Sequence, residues 1–203
     1  MLQERKLRTV NMADEYLINY CAPTLAGIKT GSLFTIFPEP EEDIYEEIRR
    51  LNRIFRKKGL RALLCKNCGR YALLYIYRPE MLKKDLRDPG AVSILSNKGY
   101  NCSNPDICIV QLIKHLANDK TFPHEIGLFL GYPAADVSGF IKDPNAGVKY
   151  CGCWKVYSDE KSARQTFKKY RRCTEILRKL HQKGKTLEQL AVNIEGVKEK
   201  RPH

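Results

Sequence analysis

The sequence predicts an α+β fold: a small, mainly antiparallel sheet of three to five strands, packed with many short helices and one long basic helix towards the C-terminus. Three observations lead there. Two apolar runs, residues 61–65 and 71–77, flank a short polar turn, which is the pattern of a hairpin. Helical periodicities fill most of the remaining chain but never alternate cleanly with strands, so a parallel, doubly wound sheet is disfavoured. The composition, 43% hydrophobic and 29% charged over 203 residues, is enough for a real core and argues against wholesale disorder.

The elements can be justified in order. Residues 14–26 form a weakly periodic helix through Tyr16, Leu17, Tyr20 and Cys21, limited by Pro23. Residues 33–37 read as a strand that ends at Pro38 and Pro40. Acids crowd positions 39–47, at the start of a helix running to about Lys58, where negative charge suits the dipole; Gly59 stops it. Ile44, Ile48, Leu51 and Phe55 make its apolar stripe. The hairpin follows, with Gly69 allowing a left-handed turn residue. Short helices are expected over 79–87, 90–98, 105–118, 122–133 and 136–141, and a strand or hairpin arm over 148–157. Ser158 caps the long helix, which ends near His181, and Thr186 starts a last helix of about ten residues. Residues 1–183 are expected as a single domain and 184–203 as a helical, charged extension.

Charge narrows the partner classes. The net charge is +13, and residues 149–203 carry most of the excess, with 15 Lys and Arg against 6 Asp and Glu. A basic segment attracts nucleic acid, an acidic partner or an anionic ligand, although a solvated helix face accounts for it equally well. Arg164, Lys168, Arg171 and Arg172 lie on that face and are the nucleic-acid candidates. No run of 18 apolar residues exists, so no membrane partner is expected. The polar stretch from Met1 to Lys6 has no apolar signal core, and a cytoplasmic location is the expectation.

Eight cysteines are then expected as thiols. Cys65-Lys-Asn-Cys68-Gly69 has the spacing of a zinc knuckle, and zinc is the cofactor it would imply. A second ligand pair is needed. Cys102 with Cys108 is spaced too widely and Cys151 with Cys153 too closely, so a bare hairpin turn competes with the metal reading. The usual phosphate-loop, dinucleotide, serine-hydrolase and zincin patterns are absent.

Four segments carry candidate chemistry. Cys21-Ala-Pro-Thr-Leu-Ala-Gly-Ile-Lys29 places a thiol near a lysine. Phe122-Pro-His-Glu-Ile-Gly sets His124 and Glu125 at a helix start, where exposed N–H groups favour anions. Residues 125–142 also have the apolar spacing of a helix-turn-helix, but its second helix would present Ala134, Ala135, Asp136, Ser138 and Lys142, a poor set for reading bases. Trp154-Lys-Val-Tyr157, as a strand, turns Trp154 and Val156 one way and Lys155 and Tyr157 the other.

Together, residues 21–29, 122–133, 136–141 and 152–157 resemble an uncharacterised bacterial family of about 200 residues, found mostly in anaerobes and classed as a domain of unknown function. The resemblance runs from about residue 10 to 180 and implies that the four segments belong together around one cleft; it assigns no catalytic residue. Cys153 stands where an aromatic is expected before the tryptophan, and the Cys65–Cys68 turn looks peculiar to this member. The expectation is a cleft for a small or anionic ligand, with Cys21 as nucleophile, His124 as base and Glu125 or Asp136 orienting it. Lys29, Asp136, Trp154, Lys155 and Tyr157 would bind the ligand. The rival readings are a nucleic-acid binder and a structural or partner-binding module.

Overall fold

The computed structural model describes residues 2–38, 43–118 and 121–194, and the backbone alone for 2–13 and 118. Half of the acidic cluster expected to open the second helix (Glu39, Glu41 and Glu42), and the end of the charged tail, lie outside the described residues.

At the centre is a three-stranded antiparallel sheet in the order β1 (Gly31–Ile36), β3 (Ala72–Tyr77), β2 (Arg61–Asn67). Its side chains alternate between two cores. Phe34, Ala62, Leu74 and Ile76 face one cluster, while Tyr75, Tyr77 and Cys65 face the other. The register slips between Leu64 and Lys66, a bulge that carries Cys65 at its middle. The turn after β2 is closed by Asn67, whose side chain accepts from the Gly69 N–H at 3.0 Å, with Gly69 at φ 75°.

On the first face lie α1 (Leu2–Leu25) and α2 (Ile44–Phe55), which runs into a 3-10 turn at Arg56–Lys58. Leu17, Ile18, Cys21, Ala22 and Leu25 give α1 its buried stripe, at the i, i+4 spacing that one helix face requires. Asp43 caps α2 by accepting from the Tyr45 and Glu46 N–H groups. On the second face pack α3 (Pro79–Asp85), α4 (Pro89–Asn97), α5 (Pro105–Asn118), α6 (Ile126–Phe129) and α7 (Ala134–Lys142). The compact helix expected over 122–133 shrinks to the single turn of α6, because Pro123 and Pro133 bracket it and Gly131 leaves it at φ 76°.

A two-residue hairpin, β4 (Tyr150–Cys151) and β5 (Lys155–Val156), joins the layers at one end. The long helix α8 (Glu160–Gln182) follows, capped by Asp159 rather than Ser158. Its first half buries Ala163 and Phe167 with Val156 in a third small cluster; further along, Leu177 enters the first. Thr186 forms a capping box on α9 (Leu187–Leu190). That helix stops after one turn because the chain is drawn out to α1, where the Val192 N–H donates to the Leu25 carbonyl at 2.9 Å. Leu187, Leu190 and Ala191 are thus buried in the first cluster, although they lie in the segment expected as an extension.

Candidate anion-binding cleft

Arg78 shapes the ground on which the cleft stands. It is fully buried at the C-terminus of α1. Its guanidinium donates to the carbonyls of Thr24 (2.7 Å), Leu25 (2.7 Å), Lys58 (3.1 Å) and Val192 (2.8 Å). These oxygens belong to a helix end and two loops, at the negative end of a dipole; those of Thr24 and Leu25 also accept from the Gly27 and Val192 N–H groups. The chain then turns at Gly27 (φ 75°), and the Ile28 and Lys29 N–H groups both return to the Pro23 carbonyl. Thr30 is fixed by donating to Asp85, which leaves Lys29 at the tip of a rigid corner.

Lys29 reaches the face of Tyr132, its Nζ 5.4 Å from the ring centroid. Tyr132 stacks on Trp154 at 4.7 Å, and Trp154 meets Phe167 edge-on at 4.4 Å. The Trp154 indole N–H donates to Asp136 at 2.7 Å, and the other Asp136 oxygen accepts the Tyr157 and Ser158 N–H groups, each at 2.8 Å. Burial pushes the Asp136 carboxyl up, but these hydrogen bonds outweigh it and hold the group below its ordinary value. The four segments singled out in the sequence therefore touch along one line, Lys29–Tyr132–Trp154–Asp136.

Beside that line opens a cleft of about 380 Å³ between α1, α8 and the β4–β5 hairpin. Lys29, Ser32, Cys153, Tyr170 and Arg171 line it, with aromatic walls from Tyr20 and Phe167. Burial lowers the Lys29 ammonium to about 8. Burial raises the Cys153 thiol, against which Lys29 and Arg171 both pull. One sulfur thus feels both cations. Gly152 is required here, because a Cβ at that position would run into the Phe167 ring. A larger recess, about 750 Å³, lies between α4 and α6–α7, but its two carboxylates are committed: Asp85 to Thr30, and Asp88 to the N-terminus of α4.

The other expected site residues fall elsewhere. Cys21 is buried in the first cluster, donates to the Leu17 carbonyl and has its thiol raised far above the ordinary value by burial. His124 is exposed and packs edge-on against Phe140, next to Glu125, Ile126 and the second cluster. The sheet stands between the two. Glu125 is buried and accepts from the Tyr100 hydroxyl at 3.0 Å. Lys155 and Tyr157 both donate to the Pro144 carbonyl, away from the cleft. On α8, Arg164 pairs with Glu160 at 2.7 Å and lies 3.7 Å over Tyr150, whereas Lys168 and Arg172 are exposed. Cys65 points into the second cluster, where burial raises its thiol to about 12, and Cys68 lies exposed in the turn. Among the described residues no group of three or more His, Cys, Asp or Glu side chains is placed to hold a metal ion.

Sequence reasoning passed over Tyr132, Cys153 and Tyr170 as site residues. Tyr132 sits in a Gly-Tyr-Pro break and Tyr170 on the apolar stripe of α8, so both read as packing. No helix among the described residues is long and apolar enough to cross a membrane. No curated protein and no solved structure matches the chain. One family profile, described as "Protein of unknown function (DUF3793)", matches residues 17–191.

Proposed function

The chain belongs to the DUF3793 family, and we propose that it binds a small anionic molecule in the cleft between α1, α8 and the β4–β5 hairpin. The observation that carries this reading is the pair of cations. Lys29 and Arg171 line one concave surface, act on the same sulfur, and form no ion pair with a carboxylate among the described residues. A half-buried ammonium without an acid partner is costly, and an anionic ligand is what would offset it. Ser32 and Tyr170 add hydroxyl groups, and Tyr20 and Phe167 give an apolar body room to lie, the usual make-up of a small-molecule site.

Thermal unfolding with inorganic phosphate and oxalate as probes tests this. Melting temperature should rise with probe concentration, corresponding to about 2.7 kcal/mol at a hundredfold excess over Kd. Lys29→Met and Arg171→Met should each abolish the rise. An unchanged wild-type melting temperature, or variants that respond like wild type, would count against the reading.

A second reading, nucleic-acid binding along α8, draws support from the exposure of Lys168, Arg171 and Arg172 on one helix. It predicts affinity that falls steeply with salt and with Lys168→Ala and Arg172→Ala, neither of which should alter the response to phosphate. The helix-turn-helix version of this reading gains little support, since Asp136 of α7 is turned inward under Trp154.

A further inference from the structure

We propose that Lys29 is the amine of a Schiff-base site, which condenses with the carbonyl group of a small anionic aldehyde or α-keto acid whose carboxylate Arg171 holds. This rests on the anion-binding reading and goes beyond it, from binding to covalent chemistry.

Three placements support the assignment. The first is the amine itself. Lys29 extends from a rigid corner into the cleft wall, over a phenol ring and not into a carboxylate. Arg50, a partly buried cation of α2, is by contrast held by Glu47 and Asp14 at 2.8 and 2.7 Å. An ion pair keeps an amine protonated and unreactive, and Lys29 is spared one. The second is the division of labour between the two cations. Arg171 has the planar fork that suits a carboxylate, and as an always-charged group it leaves nucleophilic attack to the lysine. Both cations line the same cleft, with Cys153 between their elements in the β4–β5 turn. The third is a proton donor. Tyr170 lines the same cleft, and burial holds its phenol well above the ordinary value, so it remains an O–H donor at any working pH. The lowering of Lys29 to about 8 is in keeping with this role. At pH 7 about a tenth of such an amine is neutral, against roughly one part in three thousand for an ordinary lysine.

The chemistry needs no co-reactant. The neutral Lys29 nitrogen attacks the carbonyl carbon, a C–N bond forms, and the carbonyl π pair moves to oxygen. One N–H proton transfers to that oxygen, which gives a carbinolamine. The hydroxyl then leaves with the second N–H proton as water, and the C=N bond is complete. A hydrogen bond from Tyr170 polarises the carbonyl in the first step and eases departure of the hydroxyl in the second.

The test uses glyoxylate as the anionic carbonyl probe, acetaldehyde as a neutral one, and cyanoborohydride to reduce any imine to a stable secondary amine. Sites are read by peptide mass spectrometry. With glyoxylate at pH 7, Lys29 should be the most rapidly modified lysine, by about tenfold or more, with a labelling profile that rises near pH 8 where the other lysines rise above about 10. Arg171→Met should slow glyoxylate labelling of Lys29 at least severalfold and leave acetaldehyde labelling alone. Lys29→Arg, which keeps the charge, should retain stabilisation by phosphate and bring early labelling down to the level of the remaining lysines. Labelling of Lys29 no faster than the others, or no effect of Arg171→Met on the glyoxylate rate, overturns the Schiff-base assignment. If phosphate still stabilises the protein in either case, the anion-binding reading survives; if phosphate does nothing, both fall.

Discussion

Arg78 and Lys29 are two cations held by the same corner of the chain, at the end of α1, and they are treated in opposite ways. Arg78 is sealed from solvent, and four backbone carbonyls fill its fork. Lys29 is only half-buried; its ammonium lies over the face of Tyr132 and, among the described residues, is paired with no carboxylate. A buried charge whose donors are filled by the fold belongs to architecture. A desolvated charge that the fold leaves uncompensated is a standing cost, retained where something outside the chain compensates it. The difference separates the part of this corner that holds the protein together from the part that the proposed anion site would use.

The sharpest way to break the comparison is Arg78→Met. It removes the guanidinium from the Lys58 and Val192 carbonyls and one of two donors from the Thr24 and Leu25 carbonyls, and should cost about 3 kcal/mol, read as a lower midpoint in urea unfolding. A loss below about 1 kcal/mol would mean that the guanidinium is not structural in the sense argued.

Asp136→Ala comes next, at about 2–3 kcal/mol, because it strips the acceptor from the Trp154 indole and two backbone N–H groups. The sign of its pH dependence follows from its lowered value. The unfolded chain binds the proton more readily, so the stabilisation is whole above about pH 4 and is lost as pH falls through the folded-state value. Acid unfolding of wild type should show this loss, and Asp136→Ala should lack it.

Smallest, and opposite in sign, is Lys29→Met. Removing an uncompensated, half-buried ammonium should raise the melting temperature by a few degrees, at about 2–4 °C per kcal/mol for a chain of this size. The folded-state value near 8 lies below the ordinary lysine value of 10.5, so the unfolded chain holds more protons between the two. Wild type should therefore gain stability across that window, and its gap to Lys29→Met should close there. A variant that is less stable than wild type at pH 7 would show that Lys29 is another Arg78.

Much of the fold is legible in the sequence because its signals are local. The hairpin turn at Gly69, the stripe of α2 and the opening of α8 after Ser158 depend on residues within a few positions of one another. The elements that shrank are those whose ends are set from a distance. The turn of α9 is cut short by α1, and α6 by the two prolines and the contact of Tyr132 with Trp154. In the candidate site, Lys29, Asp136 and Trp154 stand out as chemistry-bearing residues in unusual segments. The partners that give them meaning do not. Nothing near Arg78 in the chain announces its four acceptors, and the Tyr132 stack joins residues 22 positions apart. Cys21 and His124 look like a pair on paper because linear distance says nothing about which face of a sheet each will reach.

The stacking of Trp154 on Tyr132 has one more consequence. It is the chain's single tryptophan, and it sits between the Lys29 platform and the Phe167 wall. Its ultraviolet emission is therefore a built-in gauge of that corner alone, free of any background from other indoles. Occupation of the cleft would register there as a change in brightness or colour without a single dye being attached.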